Sequence, residues 1–249
     1  MVDSEKQGPH CEGPIRMLVA PLSVCVIGTR GFPGVEGGVE RHCECLYTRM
    51  AGRADVLVYR RRPYVEPCEN YEGVRFVDLP STRVKGFEAV LHSFLATCAA
   101  LIRKPDVVCY HNIGPALFSP LLGLRGIPVV LTYHSPNYEH DKWGGVAKAV
   151  LRFSERVALG SSALTIFVNR FQMERCADAC KGGAVYIPNG VDAPAPQAST
   201  EAVEHFGLEP GRLYCVRWEN HSGKGLRRPY PSFSRGCAKG REARHRWRG

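Results

Sequence analysis

The feature that most constrains this chain is a strand, a glycine loop and a helix start in direct succession. Val24-Cys25-Val26-Ile27 is an apolar run, and Gly28, Gly31, Gly34, Gly37 and Gly38 punctuate the eleven residues after it. Val39, Cys43, Leu46 and Met50 then recur at helical spacing, which predicts a helix starting at about Gly37-Gly38. Glycines can do no more than shape a tight βα turn, but a plain turn does not need five of them. Bare backbone beside a helix N-terminus suits an anion. The first-turn amides lack intrahelical partners, and the helix dipole favours negative charge there.

The rest of the chain supports an α/β fold with a Rossmann-like parallel sheet and helices on both faces. Strand-like runs fall at 23–28, 55–59, 74–79, 107–111, 128–134, 164–168 and 184–187. Helical stretches fall between them at 38–50, 87–103, 115–123, 146–158 and 171–180. Several runs are apolar without alternation, as expected of strands covered on both sides. Ligands of such sheets bind outside the carboxyl ends of the strands. That rule selects the glycine loop, His111-Asn112-Ile113-Gly114, the stretch 133–145, and Asn169-Arg170. The stretch with His134, Asn137, Tyr138, His140, Asp141, Lys142 and Trp143 is the densest in reactive side chains.

Composition removes several classes. The net charge of +9 comes wholly from residues 211–249, which hold 11 Lys+Arg against 2 Asp+Glu; residues 1–210 hold 22 of each. The body is neutral, and a nucleic-acid role would rest on the tail alone, as salt-dependent contact without sequence preference. Eleven cysteines without a CxxC pair, set in apolar runs and on helices, argue for free thiols and a reducing, cytoplasmic setting. His134, His140 and Asp141 lack the helical spacing that would converge them, so no metal site is expected. Gly28, Gly31 and Gly34 give GxxGxxG, not the dinucleotide GxGxxG. Ser222-Gly223-Lys224-Gly225 lacks the spaced glycine and hydroxyl of a Walker loop. Apolar runs are too short to span a bilayer, which leaves room for peripheral membrane contact.

Gly28-Thr29-Arg30-Gly31-Phe32-Pro33 with Gly37-Gly38-Val39-Glu40, the Tyr133-His134 strand end, and Pro188-Asn189-Gly190-Val191-Asp192 resemble the N-terminal half of family 4 glycosyltransferases. The resemblance covers residues 22–192. It implies the two-domain GT-B architecture, a retaining transfer from a nucleoside-diphosphate sugar, and no cofactor or bound metal for catalysis. Gly37 and Gly38 would lie against the donor diphosphate, and His134 would approach the transferred sugar. Arg30, His111, Asn112, Asn137, Tyr138 and Lys142 would face the acceptor, a carbohydrate or lipid-linked molecule such as a surface-polysaccharide precursor. Protein of this kind would work in the cytoplasm or at the inner face of the membrane. A sugar-nucleotide epimerase of the same fold is the alternative enzyme.

The resemblance also sets expectations for domain organisation: a disordered segment at 1–16, the acceptor-side domain at 17–192, a linker and second-domain start at 193–210, and a basic tail at 211–249. A family member would continue with a second diphosphate-binding domain, but the 39 residues after Pro210 show no such pattern. Read one base later, the codons of Trp218–Gly225 permit Gly-Lys-Ile-Thr-Pro-Glu-Lys-Gly, the motif expected there. The expectation is therefore a frameshift near Arg212, a tail read out of frame, and a chain that by itself is a non-catalytic Rossmann-like fragment.

Overall fold

In the computed structural model, residues 21–190 are described, except 83, 85 and 140–143. The remaining segments, including the expected linker and basic tail, lie outside the described residues. The chain divides into two units, 1–189 and 190–249, and the account below concerns the first.

Strand β1 (Leu22–Ile27) has its last four residues buried and leads through the glycine loop into α1 (Gly38–Met50). Then follow β2 (Ala54–Arg61), β3 (Asn70–Tyr71), β4 (Val74–Leu79) and α2 (Phe87–Arg103). The second half runs β5 (Val107–His111), α3 (Ser119–Gly123), β6 (Val129–Tyr133), α4 (Gly145–Ser161), β7 (Leu164–Phe167), α5 (Arg170–Cys176) and β8 (Ala184–Tyr186). The strands form one sheet in the order β3-β4-β2-β1-β5-β6-β7-β8, parallel everywhere except at β3–β4. The expected Rossmann-like α/β fold is thus present.

Alternate strand residues feed two cores, because successive side chains point to opposite faces. Val24, Val26, Val56 and Val58 pack with Cys43 and Tyr47 of α1. Cys25, Ile27, Leu57 and Tyr59 pack on the other side with Ala96 and Ala100 of α2, Leu122 of α3, Leu159 of α4 and Cys176 of α5. Each central strand is therefore covered twice, which explains its unbroken apolar sequence. Among the described residues, eight cysteines are all free thiols, and no helix is long and apolar enough to cross a membrane.

The chain order reverses at β1 and β5. After β1 it moves outward through β2 to β4, and then crosses back to place β5 on the other side of β1. Such a switch point opens a crevice at the carboxyl ends of the two strands. Gly28 sits there with φ +115°, and a Cβ on it would collide with the His111 carbonyl oxygen. This glycine is a requirement of folding, because it lets β1 and β5 end side by side.

Burial of His92 in α2 has a measurable consequence. Its ring is fully enclosed, and neither nitrogen has a hydrogen-bond partner. Burial, reinforced by the Arg61 charge, pushes its pKa down to about 3. Unfolded, the same ring titrates near 6.5. Its contribution to stability is complete above pH about 6.5 and is lost progressively as the pH falls toward its native value, because the unfolded chain takes up a proton that the fold refuses. Urea midpoints are expected to fall between pH 6.5 and 4, and His92→Gln is expected to flatten that slope by about one proton. An unchanged slope in the variant would assign the acid sensitivity elsewhere.

Candidate functional site at the carboxyl ends of β1, β5 and β6

The loop between β1 and α1 is fixed by one ion pair. The Arg30 amide and Nε donate to Glu40 Oε1, each at 3.1 Å, and its Nη2 donates to Glu40 Oε2 at 3.2 Å. Arg30 also donates to the Glu36 carbonyl. Burial alone would raise the Glu40 carboxyl, but its bonds to Arg30 outweigh that and hold it below the usual carboxylate range. Glu40 folds back over the loop, so a side chain at Gly37 would strike both it and Arg30. The first intrahelical bond runs from the Arg41 amide to the Gly37 carbonyl at 2.9 Å. The amides of Gly38 and Val39 precede that bond and belong to the unpaired first turn.

The two glycines at the helix start consequently differ. Gly37, at φ +156°, is demanded by its neighbours. Gly38 has no left-handed backbone, and a Cβ on it would meet no heavy atom within 4 Å.

Three histidines from three distant segments meet beside this helix start. His42 lies one turn after Gly38 on α1, His111 ends β5, and His134 follows β6. The register pairs His111 with Thr132, so alternation puts His134 on the same face of the sheet as His111. His111 Nδ1 and His134 Nε2 are 3.0 Å apart, and the two rings stack with centroids 5.3 Å apart. His42 meets both rings edge-on, at 5.5 Å from His111 and 4.9 Å from His134. On the far side, His111 Nε2 is 2.7 Å from the buried Tyr47 hydroxyl. Burial, with the neighbouring His42, pushes His134 down to about 4. Burial also lowers His42, and it lowers His111 much further. All three rings are therefore neutral at pH 7, and at His134 a neutral imidazole faces the crevice.

The residues expected at the acceptor side separate into groups. His111 has no exposed surface; it lies beneath His134 and reaches the crevice only through it. Asn112 follows in left-handed backbone, φ 74°, with its side-chain oxygen buried and unpartnered. Arg30 is occupied by Glu40 and the loop carbonyl, with about a third of its side chain exposed. Asn137 opens a short 3-10 turn, and its side chain lies outside the described ones. Tyr138 closes against α4 and α5: its hydroxyl donates to Glu155 at 3.1 Å and accepts from Arg175 at 2.9 Å. Tyr133 donates to the same Glu155, so this carboxylate anchors the loop after β6. Lys142, His140 and Asp141 lie outside the described residues.

Sequence reasoning missed His42, Glu40 and Tyr47. His42 carries a usable signal, since it falls four residues after Gly38 and so lies on the same helix face as the unpaired amides.

A profile of Glycosyltransferase Family 4 matches residues 36–194. No curated protein matches the chain by sequence. Among solved structures, sucrose-phosphate synthase from Thermosynechococcus elongatus superposes with a TM-score of 0.59 at 16% identity, covering 76% of this chain and 53% of that one. HepE from Anabaena, solved with UDP and glucose, gives a TM-score of 0.50 at 14% identity, covering 74% of this chain and 50% of that one. UDP-N-acetylglucosamine 2-epimerase from Rickettsia bellii gives 0.47 at 11% identity over 75% and 48%, a likeness too low to argue from. The chain thus spans about half the length of the solved structures it matches. With the profile match extending from the glycine loop past β8, the chain belongs to Glycosyltransferase Family 4.

Proposed function

We propose that this unit forms the acceptor-side wall of a retaining glycosyltransferase that moves a sugar from a nucleoside diphosphate to a carbohydrate or lipid-linked acceptor. The observation that carries the reading is Gly38. A Cβ there would meet no heavy atom within 4 Å, so the space beside the helix start is open. A glycine at that place lets a group approach closely enough to touch the unpaired backbone amides.

In this reading the unpaired amides of Gly38 and Val39 hold the leaving diphosphate, whose charge grows as the glycosidic bond breaks. His134 is kept neutral by burial and commits Nε2 to His111, which leaves Nδ1 to hydrogen-bond the transferred sugar. It positions the sugar without adding charge, and most of the rate comes from orientation and electrostatic stabilisation. HepE, whose structure holds UDP and glucose, supports a uridine-linked donor as the first to try. The setting is the cytoplasm, with the acceptor loops free to meet a membrane-bound precursor.

Since the unit supplies one wall of the cleft, nucleotide binding is the direct test: the full 249-residue chain should be titrated by calorimetry with UDP, GDP and ADP. The reading expects one of them to bind, and expects any product formed in a complete two-wall enzyme to keep the donor configuration by NMR of the anomeric proton. No binding of any nucleotide, an inverted product, or an epimerised sugar still attached to its nucleotide would each contradict it.

A further inference from the structure

We propose that His42, His111 and His134 form a binding site for a divalent d-block cation of the zinc class, held by three imidazoles with its fourth position left for water. The three rings offer nitrogens that all lie within 4.8 Å of one another. Zinc–imidazole bonds of about 2.0–2.1 Å in a tetrahedral site need nitrogens roughly 3.3 Å apart. The His111–His134 edge is already at 3.0 Å, so binding needs those two rings to tilt until their lone pairs converge and His42 to rotate inward.

Two further observations point to a ligand and not only to ring packing. His42 Nε2 is buried and has no hydrogen-bond partner, an unfavourable state for a polar group. Ring stacking would be served equally well by a phenylalanine, which carries no such cost. The second observation is the arrangement behind the rings. His111 turns Nδ1 to the cluster while its Nε2 shares a hydrogen bond with the Tyr47 hydroxyl. Metal-bound histidines are oriented in this way, with the far nitrogen tied to a fixed partner. His42 and His134 are both partly exposed and leave an entry path, whereas His111 forms the buried floor.

Imidazoles alone favour zinc, copper, nickel and cobalt over magnesium or calcium, which take oxygen ligands. In the apo state one proton lies between His111 Nδ1 and His134 Nε2; on binding it moves to the far nitrogen of the ring that carries it, and both facing nitrogens bind the cation. The cation would thereby take His134 away from the sugar. That inhibitory consequence rests on the function proposed above, whereas the binding itself does not.

Untagged full-length protein titrated with Co²⁺ tests the binding directly through its visible d–d absorption. One equivalent should bind without a thiolate-to-cobalt charge-transfer band, and Zn²⁺ should displace it. His42→Ala should weaken binding at least 10-fold, and Tyr47→Phe, which keeps all three ligands, by about 10-fold. Should His42→Ala fail to fold, long-range ¹H–¹⁵N spectra of the wild-type histidines decide, since zinc must shift the nitrogens of three rings together. Absence of Co²⁺ binding, a thiolate band, wild-type affinity in both variants, or fewer than three shifted rings would overturn the proposal. Inhibition of transfer is a separate reading: binding without inhibition would count against the proposed role of His134 and leave the metal site standing.

Discussion

Replacing Arg60 with methionine is expected to lower the unfolding free energy by about 3–5 kcal/mol, among the largest effects open to a single substitution in this unit. Arg60 is a charged residue on a central strand, and only 1% of its surface is exposed. Its Nε and Nη2 grip the two oxygens of Asp78 at 2.7 and 2.8 Å, tying β2 to β4. Nη1 donates to the Phe32 carbonyl at 3.1 Å, and Nη2 donates to those of Glu66 and Cys68 at 3.2 and 3.0 Å. The guanidinium also stacks on Phe76, 4.1 Å from the ring centroid. Methionine fills the volume but leaves Asp78 and three carbonyls without a donor. Breaking a buried pair costs more than never having made it, so Arg60→Met with Asp78→Leu should recover part of the loss. Urea denaturation measures both; a single-variant loss below about 1 kcal/mol would show that water replaces the pair without penalty.

In the proposed transferase, His134→Ala is expected to cut the transfer rate by roughly 10²–10³-fold while changing donor affinity little, because that reading assigns the diphosphate to the helix start. The same change removes the hydrogen-bond partner of His111 Nδ1, a buried atom, at a cost of about 1–3 kcal/mol. Stability and rate must therefore be separated. His134→Gln can still offer an N–H to His111, so it should regain most of the stability and little of the rate. A variant whose rate follows its stability would make His134 a packing residue; a kcat loss without a KM change supports the positioning role.

Much of the fold was legible because its elements are long and periodic. The helices at 38–50 and 87–103 and the strands at 74–79 and 107–111 were expected with the bounds they have. The stretch 115–123 is a 3-10 turn over Pro115–Phe118 followed by a short helix, with Pro120 at its start. Strand β3 has only two residues and gives no periodic signal. Its turn at Glu72-Gly73, with φ 46° and 82°, is the hairpin chemistry that could have disclosed it.

The site was legible only where its residues sit in loops. His134 and the glycines stand out against an apolar strand, and the switch-point rule collects them. His42 reads as an ordinary polar position of an amphipathic helix, and Arg60 as the polar end of an apolar run. His42 meets rings 69 and 92 residues further along, the Tyr47–His111 pair spans 64, and no local pattern announces such meetings. The same limit explains why ligand spacing excluded a metal in the sequence, whereas the fold assembles three imidazoles from separate elements.

The central claim is that the open space before Gly38 exists for a diphosphate, and Gly38→Ala tests it most directly. Thermal unfolding and UDP titration calorimetry should be run on the same wild-type and variant samples. The variant's unfolding temperature is expected to equal or exceed that of the wild type, since the methyl meets nothing and alanine suits a helix better. Its UDP affinity is expected to be at least about 10-fold weaker, a change of about 1.4 kcal/mol. A variant that binds UDP as the wild type does, or a wild-type chain that binds none, would contradict it.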